Sequence, residues 1–138
     1  MAIIESLKAF FEECPLLTDG FINVNYLGAK KADYSIESVP SEPVMRRYVD
    51  GGSLRQYVFI FASREFYDED QLRNMDTARF YEELGAWIEE RGREGRLPAL
   101  SEGTALRLEV TSGGYLLSDR AGTARFQLQC RLIYRKEG

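Results

Sequence analysis

The triplet Asp76-Thr77-Ala78 has the residue order in which retroviral-type aspartic proteases place a catalytic carboxylate, two copies of which share one proton across a dimer. That chemistry needs an apolar strand and turn around the aspartate. Here the triplet follows Arg73-Asn74-Met75 and opens an amphipathic stretch, so Asp76 is expected to N-cap a helix, with Met75 and Phe80 at the spacing of a hydrophobic staple. Glu65, Asp68, Glu69 and Asp70 could gather a hard cation through their oxygens, or serve an enzyme built on carboxylates. The glycine and distal glutamate of an EF-hand are missing, however, which favours a solvated acidic loop. The pairs Gly51-Gly52 and Gly113-Gly114 precede no Lys-Ser/Thr dipeptide and open no strand–helix dinucleotide unit, so they are expected as turn and bulge residues rather than phosphate cradles. Cys14 and Cys130 lie far apart without metal-ligand spacing and are expected to be reduced, packed thiols. The chain has no histidine, which removes histidine-based triads, histidine general bases and the common zinc sites together. No catalytic residue, no metal ligand and no cofactor is expected.

The elements that must carry these residues fit one domain over residues 1–138, long enough to bury a core without disulfides or metals. Eighteen basic residues stand against 22 acidic ones, a net charge of -4, so the chain as a whole has no attraction for phosphate backbones, and sequence-specific nucleic-acid binding is not expected. With 44% hydrophobic and 29% charged residues, folding is the default. No basic n-region with an unbroken apolar core opens the chain, and no apolar run approaches membrane-span length. A cytoplasmic protein without a membrane partner is therefore expected.

Ile3, Ile4, Leu7, Phe10, Phe11 and Cys14 recur at spacings of three and four, predicting an opening helix that Pro15 stops. After a turn at Thr18-Asp19-Gly20, residues 21–27 and 34–39 read as two short strands separated by Gly28 and Lys30-Lys31. Residues 44–64 read as a hairpin turning at Asp50-Gly51-Gly52. Its second arm is apolar on both faces, Val58, Ile60 and Ala62 against Tyr57, Phe59 and Phe61. It belongs inside the sheet, covered by a helix on one side and by a neighbouring subunit on the other. The polar stretch 68–74 reads as a loop or a helical turn. A second helix from Asp76 carries Phe80, Leu84, Trp87, Ile88 and Arg91 on one stripe and ends at Gly92 and Gly95. Leu106 to Val110 alternates as a strand, Gly113-Gly114 suggests a bulge before Tyr115-Leu116-Leu117, and a turn over residues 118–122 returns into the last strand.

That last strand, residues 123–135, has the cleanest period of two in the chain. Phe126, Leu128, Cys130, Leu132 and Tyr134 face a core, while Arg125, Gln127, Gln129, Arg131 and Arg135 form a basic, hydrogen-bonding stripe on the other side. The stripe reads as plain solvated sheet surface, as a contact face to a neighbouring subunit or to something passing a pore, or, least favoured, as a nucleic-acid-binding surface. Arg46, Arg47, Tyr48 and the Asp50 tip likewise read as an exposed hairpin tip or as an interface arm. The element order predicts an α+β fold with an antiparallel, possibly mixed, sheet of about four to six strands packed by two main helices.

The run from Arg46 through Gln56 into Tyr57-Val58-Phe59-Ile60-Phe61-Ala62, the stretch Phe80-Tyr81-Glu82-Glu83-Leu84 to Trp87-Ile88, Gly113-Gly114-Tyr115-Leu116 and the closing Ala124 to Tyr134 together resemble small prophage proteins of Gram-positive bacteria. That family comprises tail terminator or tail completion proteins, sometimes labelled minor capsid proteins, and the similarity covers nearly the whole chain. The resemblance implies a structural, non-enzymatic protein of the virion tail, assembled in the host cytoplasm. It further implies a homo-oligomeric, hexameric ring that caps the tail tube protein and meets the head-neck connector protein. Ring contacts join two different faces of one fold. The candidates are the aromatic side of Tyr57, Phe59 and Phe61, the Arg125, Gln127, Gln129 and Arg131 stripe, and the arm with Arg46, Arg47, Tyr48 and Asp50. A small-molecule- or peptide-binding α+β module is the alternative.

Overall fold

A computed structural model describes residues 2–17, 21–24, 33–66, 71–120 and 123–138. The chain runs α1 (Ile3–Glu12), a 3-10 turn (Pro15–Leu17), β1 (Phe21–Val24), β2 (Asp33–Val39), β3 (Val44–Arg47), β4 (Ser53–Phe66), α2 (Gln71–Arg93), β5 (Thr104–Arg120) and β6 (Thr123–Lys136). The expected turn at residues 18–20, Gly28, the Lys30-Lys31 pair, Asp68, Glu69 and Asp70 lie outside the described residues, while Glu65 falls on β4.

The strands form one sheet in the order β1-β2-β4-β6-β5, with β3 pairing with the start of β4. β1 and β2 are parallel and the other pairs antiparallel, so the sheet is mixed and the fold is α+β. β4 and β6 pair without a break over 14 positions from Ser53↔Lys136 to Phe66↔Thr123, the spine of the molecule. This register puts Phe59 against Cys130 and Phe61 against Leu128, so the odd residues of β4 share a face with the even residues of β6.

Both helices pack on that one face. The α1 stripe buries Leu7, Phe10 and Phe11, with the Phe11 ring 5.1 Å from Phe61 and 6.1 Å from Phe59. α2 contributes Tyr81, Leu84 and Ile88, and Tyr81 stacks on Phe126 at 4.5 Å. Trp87 joins the helices, 5.0 Å from Phe10. Glu5 Oε1 accepts a hydrogen bond from the Ala2 N–H at the start of α1. At the end of α2, Arg96 N donates to Arg91 O and Gly95 N to Gly92 O, with Gly95 at φ +75°, a Schellman stop in which glycine takes the left-handed position.

Three sequence expectations change. The second helix starts at Gln71 rather than near Asp76, so Asp76 lies inside it and is not its N-cap; the polar first turn has no apolar period to reveal it. β5 runs on to Arg120 and β6 starts at Thr123, so most of the expected turn at 118–122 is strand. In β5 the register shifts between Ala105 and Arg107, between Val110 and Ser112, and again before Tyr115. The first shift throws Leu106 off the core face and leaves it 49% exposed, while Leu108 stays buried. The later shifts match the bulge expected at Gly113-Gly114. Among the described residues no helix is long and apolar enough to cross a membrane.

Candidate functional site

Among the described residues both helices lie on one face, and the other, helix-free face of the sheet is formed by even residues of β4 and odd residues of β2 and β6. The aromatic side of β4, expected as a contact face, is therefore the core side. Phe59 and Phe61 are fully buried against α1, and Tyr57 sits half-buried at the core's rim with its phenol pKa raised by desolvation, against a lowering hydrogen bond from Ser38. Two apolar faces on one strand gave no means of telling which the helices cover; the pairing with β6 decides it.

On the helix-free face the Arg–Gln stripe is not a row of free cations. Arg125 Nη2 reaches Glu37 Oε1 of β2 at 2.7 Å, and Arg125 Nε donates to Gln127 Oε1 at 2.8 Å. The Arg125–Glu37 pair spans β4 where its side chain is the small Ala62, which stands between Ser35 and Gln127 in the register. All three are buried beneath this polar cluster, and the Ser35 hydroxyl has no hydrogen-bond partner among the described residues. Arg131 lies directly opposite Glu109 of β5 and donates to Glu109 Oε2 from Nε at 3.1 Å and from Nη2 at 2.7 Å. Arg107 Nε sits 3.3 Å from Glu109 Oε1. These side chains are one fifth to one third exposed except Arg107, so each pair contributes at most about 1 kcal/mol, weakened by salt. Their larger effect is to tie Arg125 and Arg131 down and offset part of the positive stripe, on a face in which Val58, Ile60 and Gln129 stand half-buried.

The arm is a tight structure rather than an extended one. Tyr48 N donates to Gly52 O at 2.9 Å and Gly51 N to Tyr48 O at 3.1 Å, with Gly51 at φ +91°. Asp50 Oδ1 accepts from Gly52 N at 2.9 Å, so the aspartate closes the turn. The Arg135 guanidinium lies 5.7 Å from the Tyr48 ring centre. Arg46 and Arg47 are exposed on β3, beside Met45 at 43% exposure and a fully exposed Val49.

Two features escaped the sequence reading. Tyr81, two-faced in a helix rich in glutamate, is a buried polar clamp: its hydroxyl donates to Phe126 O at 3.0 Å and lies 2.7 Å from Ser63 Oγ. Its spacing to Leu84 and Ile88 was the available signal. The second is a notch of about 320 Å³ between α2 and β5, bordered by Glu82, Gly85, Ala86, Glu89, Val110 and Gly113. An isolated glycine within a helical pattern was the cue for it. No protein-family model and no curated protein matches this chain.

Proposed function

We propose that the protein is a structural component of a phage or prophage tail, a tail terminator or tail completion protein that forms a homo-oligomeric ring, caps the tail tube and meets the head-neck connector. It works by shape and surface chemistry, not by catalysis, and acts in the bacterial cytoplasm during assembly and then in the virion tail. The observation that carries this reading is the helix-free face of the sheet. Its Arg125 and Arg131 are held in ion pairs with Glu37 and Glu109, and around them the face presents half-buried aliphatic and amide groups, a composition suited to protein contact. Four strands about 4.8 Å apart and about nine residues long give roughly 600 Å² of such face, close to the ~800 Å² per partner of a stable contact.

The test is sedimentation of the full chain across a wide concentration range, with negative-stain microscopy of the protein alone and mixed with tail tubes. Rings, or rings on tube ends, support the reading; a protein that stays monomeric throughout and leaves tube ends bare overturns it. A binding module is the second reading, favoured by a separate cavity of about 320 Å³ beside the start of α1. Ser6, Tyr134 and Lys136 border it, and the buried Ser6 hydroxyl has no partner among the described residues. Saturable binding of a small ligand that Ser6→Ala abolishes, in a protein that remains monomeric, would select it.

A further inference from the structure

The notch between α2 and β5 contains two glycines that the chain itself does not require. A Cβ built on Gly85, in the middle of a 23-residue helix, meets no atom within 4 Å, and the same holds for Gly113 on β5. Glycine inside a helix is unfavourable, so an open space above one calls for something that fills it. Glu82 and Glu89 flank the opening, seven residues apart and therefore on the same side of the helix, about 10 Å from each other along its axis. Gly85 and Ala86 lie between them, and Val110 supplies apolar wall.

The complement is on the same chain. Val49 is an aliphatic side chain fully exposed at a turn stiffened by Asp50 and Gly51, with Met45 also exposed. Arg46 and Arg47 flank it, and among the described residues neither enters an ion pair. A knob with two cations thus matches in charge and apolar character a notch with two carboxylates. The knob cannot reach its own notch. β3 lies on the side of β4 away from β6, whereas the notch is beyond β6 at β5, three strand spacings or about 14 Å across the sheet and on its helix side.

We infer that the β3–β4 tip, with Val49 as knob and Arg46 and Arg47 as flanking cations, docks into the Glu82–Gly85–Glu89 notch of a second copy of this chain. The inference rests on the ring reading and names the contact between neighbours. The contact is heterologous, because knob and notch are different surfaces, so repetition gives a closed ring or an open filament rather than a two-fold dimer. Charge supplies register, and the aliphatic knob supplies burial.

The experiment compares the full-length protein with Gly85→Leu, which fills the notch, and with Arg46→Glu/Arg47→Glu, which reverses the knob's charge. Each is followed by sedimentation at concentrations up to those where the unaltered protein assembles, alone or on tail tubes. Circular dichroism and thermal melting check that each variant folds. Each variant should raise the concentration needed for assembly by about tenfold or more. Adding Glu82→Arg/Glu89→Arg to the charge-reversed knob should restore most of the loss. Mixing the two defective variants should give a heterodimer that grows no further, since only one intact knob–notch contact can form. If folded variants assemble like the unaltered protein, this contact is wrong while the ring stands. If the unaltered protein assembles neither alone nor on tubes, the ring reading falls and this contact with it.

Discussion

Replacing Tyr81 with phenylalanine removes a buried hydroxyl that ties α2 to the two central strands. A tyrosine hydroxyl has a single proton. It is given to Phe126 O at 3.0 Å, because a carbonyl can only accept, so at 2.7 Å the Ser63 hydroxyl donates to Tyr81 Oη. One oxygen thus links α2 to β4 and β6 at once. Phenylalanine keeps the ring and its 4.5 Å stacking on Phe126, so little packing is lost. Two buried hydrogen bonds at about 1 kcal/mol each give an expected loss of about 2 kcal/mol, and for a chain of this length a fall in melting temperature of about 6 °C. The assay is urea unfolding followed by the fluorescence of the sole tryptophan, Trp87, whose ring sits 5.0 Å from Phe10 and under the Arg91 guanidinium. The midpoint should shift while the slope stays constant, as for a change in stability rather than in exposed surface. Ser63→Ala and the double variant complete a cycle, with a coupling of about 1 kcal/mol expected. A loss under about 0.5 kcal/mol for Tyr81→Phe, or strictly additive effects, would refute the clamp.

Three further outcomes follow from other places in the fold. Gly85→Ala should stabilise the isolated chain by about 1 kcal/mol in the same urea assay, because the new Cβ meets no atom within 4 Å and alanine favours helix. Gly103→Ala should destabilise by more than about 1 kcal/mol, since Gly103 sits at φ +89° and an added Cβ would lie 2.5 Å from Arg135 O; a neutral effect would contradict that close approach. Burial raises the thiol pKa values of Cys14 and Cys130 above 9.0 and the Tyr57 phenol above 10.0. Raised folded pKa values give stability that is complete below the unfolded values and is lost as pH climbs past them, because the unfolded chain releases these protons first. Melting temperature should therefore fall as pH rises above 9, and Cys130→Ala should flatten that fall; an unchanged slope in the variant would show that Cys130 does not carry it.

What the sequence made legible was local. The period of two in β6 named its buried residues, Phe126, Leu128, Cys130, Leu132 and Tyr134, and the three-and-four spacing of α1 named Leu7, Phe10 and Phe11. What it left open depended on distant partners. Phe59 and Phe61 were legible as apolar but not as core, because the opposite side of β4 is apolar too and only the alignment of residue 59 with Cys130 separates the faces. The stripe of Arg125 and Arg131 read as basic, since Glu37 is 88 residues from Arg125 and Glu109 is 22 from Arg131. Alternation in β5 groups Leu106 with Leu108 and Val110, but a bulge cannot be counted from one strand alone.

The distribution of charge that pairing leaves behind bears on how a ring would form. Arg125 and Arg131 are held within the chain, whereas Arg46, Arg47, Glu82 and Glu89 sit on exposed surfaces at opposite sides of the sheet. A knob with one aliphatic anchor and two solvated cations is a small contact, below the ~800 Å² per partner of stable complexes, so a single docking event should be weak and salt-sensitive. Closing a ring changes this, because the last subunit gains two contacts at once and a surface that holds subunits side by side raises their effective concentration. On the proposed function, the tail tube is that surface. Raising salt from 0.05 to 0.5 M should then suppress assembly in free solution far more than assembly on tube ends, as judged by sedimentation and negative-stain counts. Equal suppression in both settings would mean that the tube contributes no templating, and that the contact between neighbours must be stronger than this geometry provides.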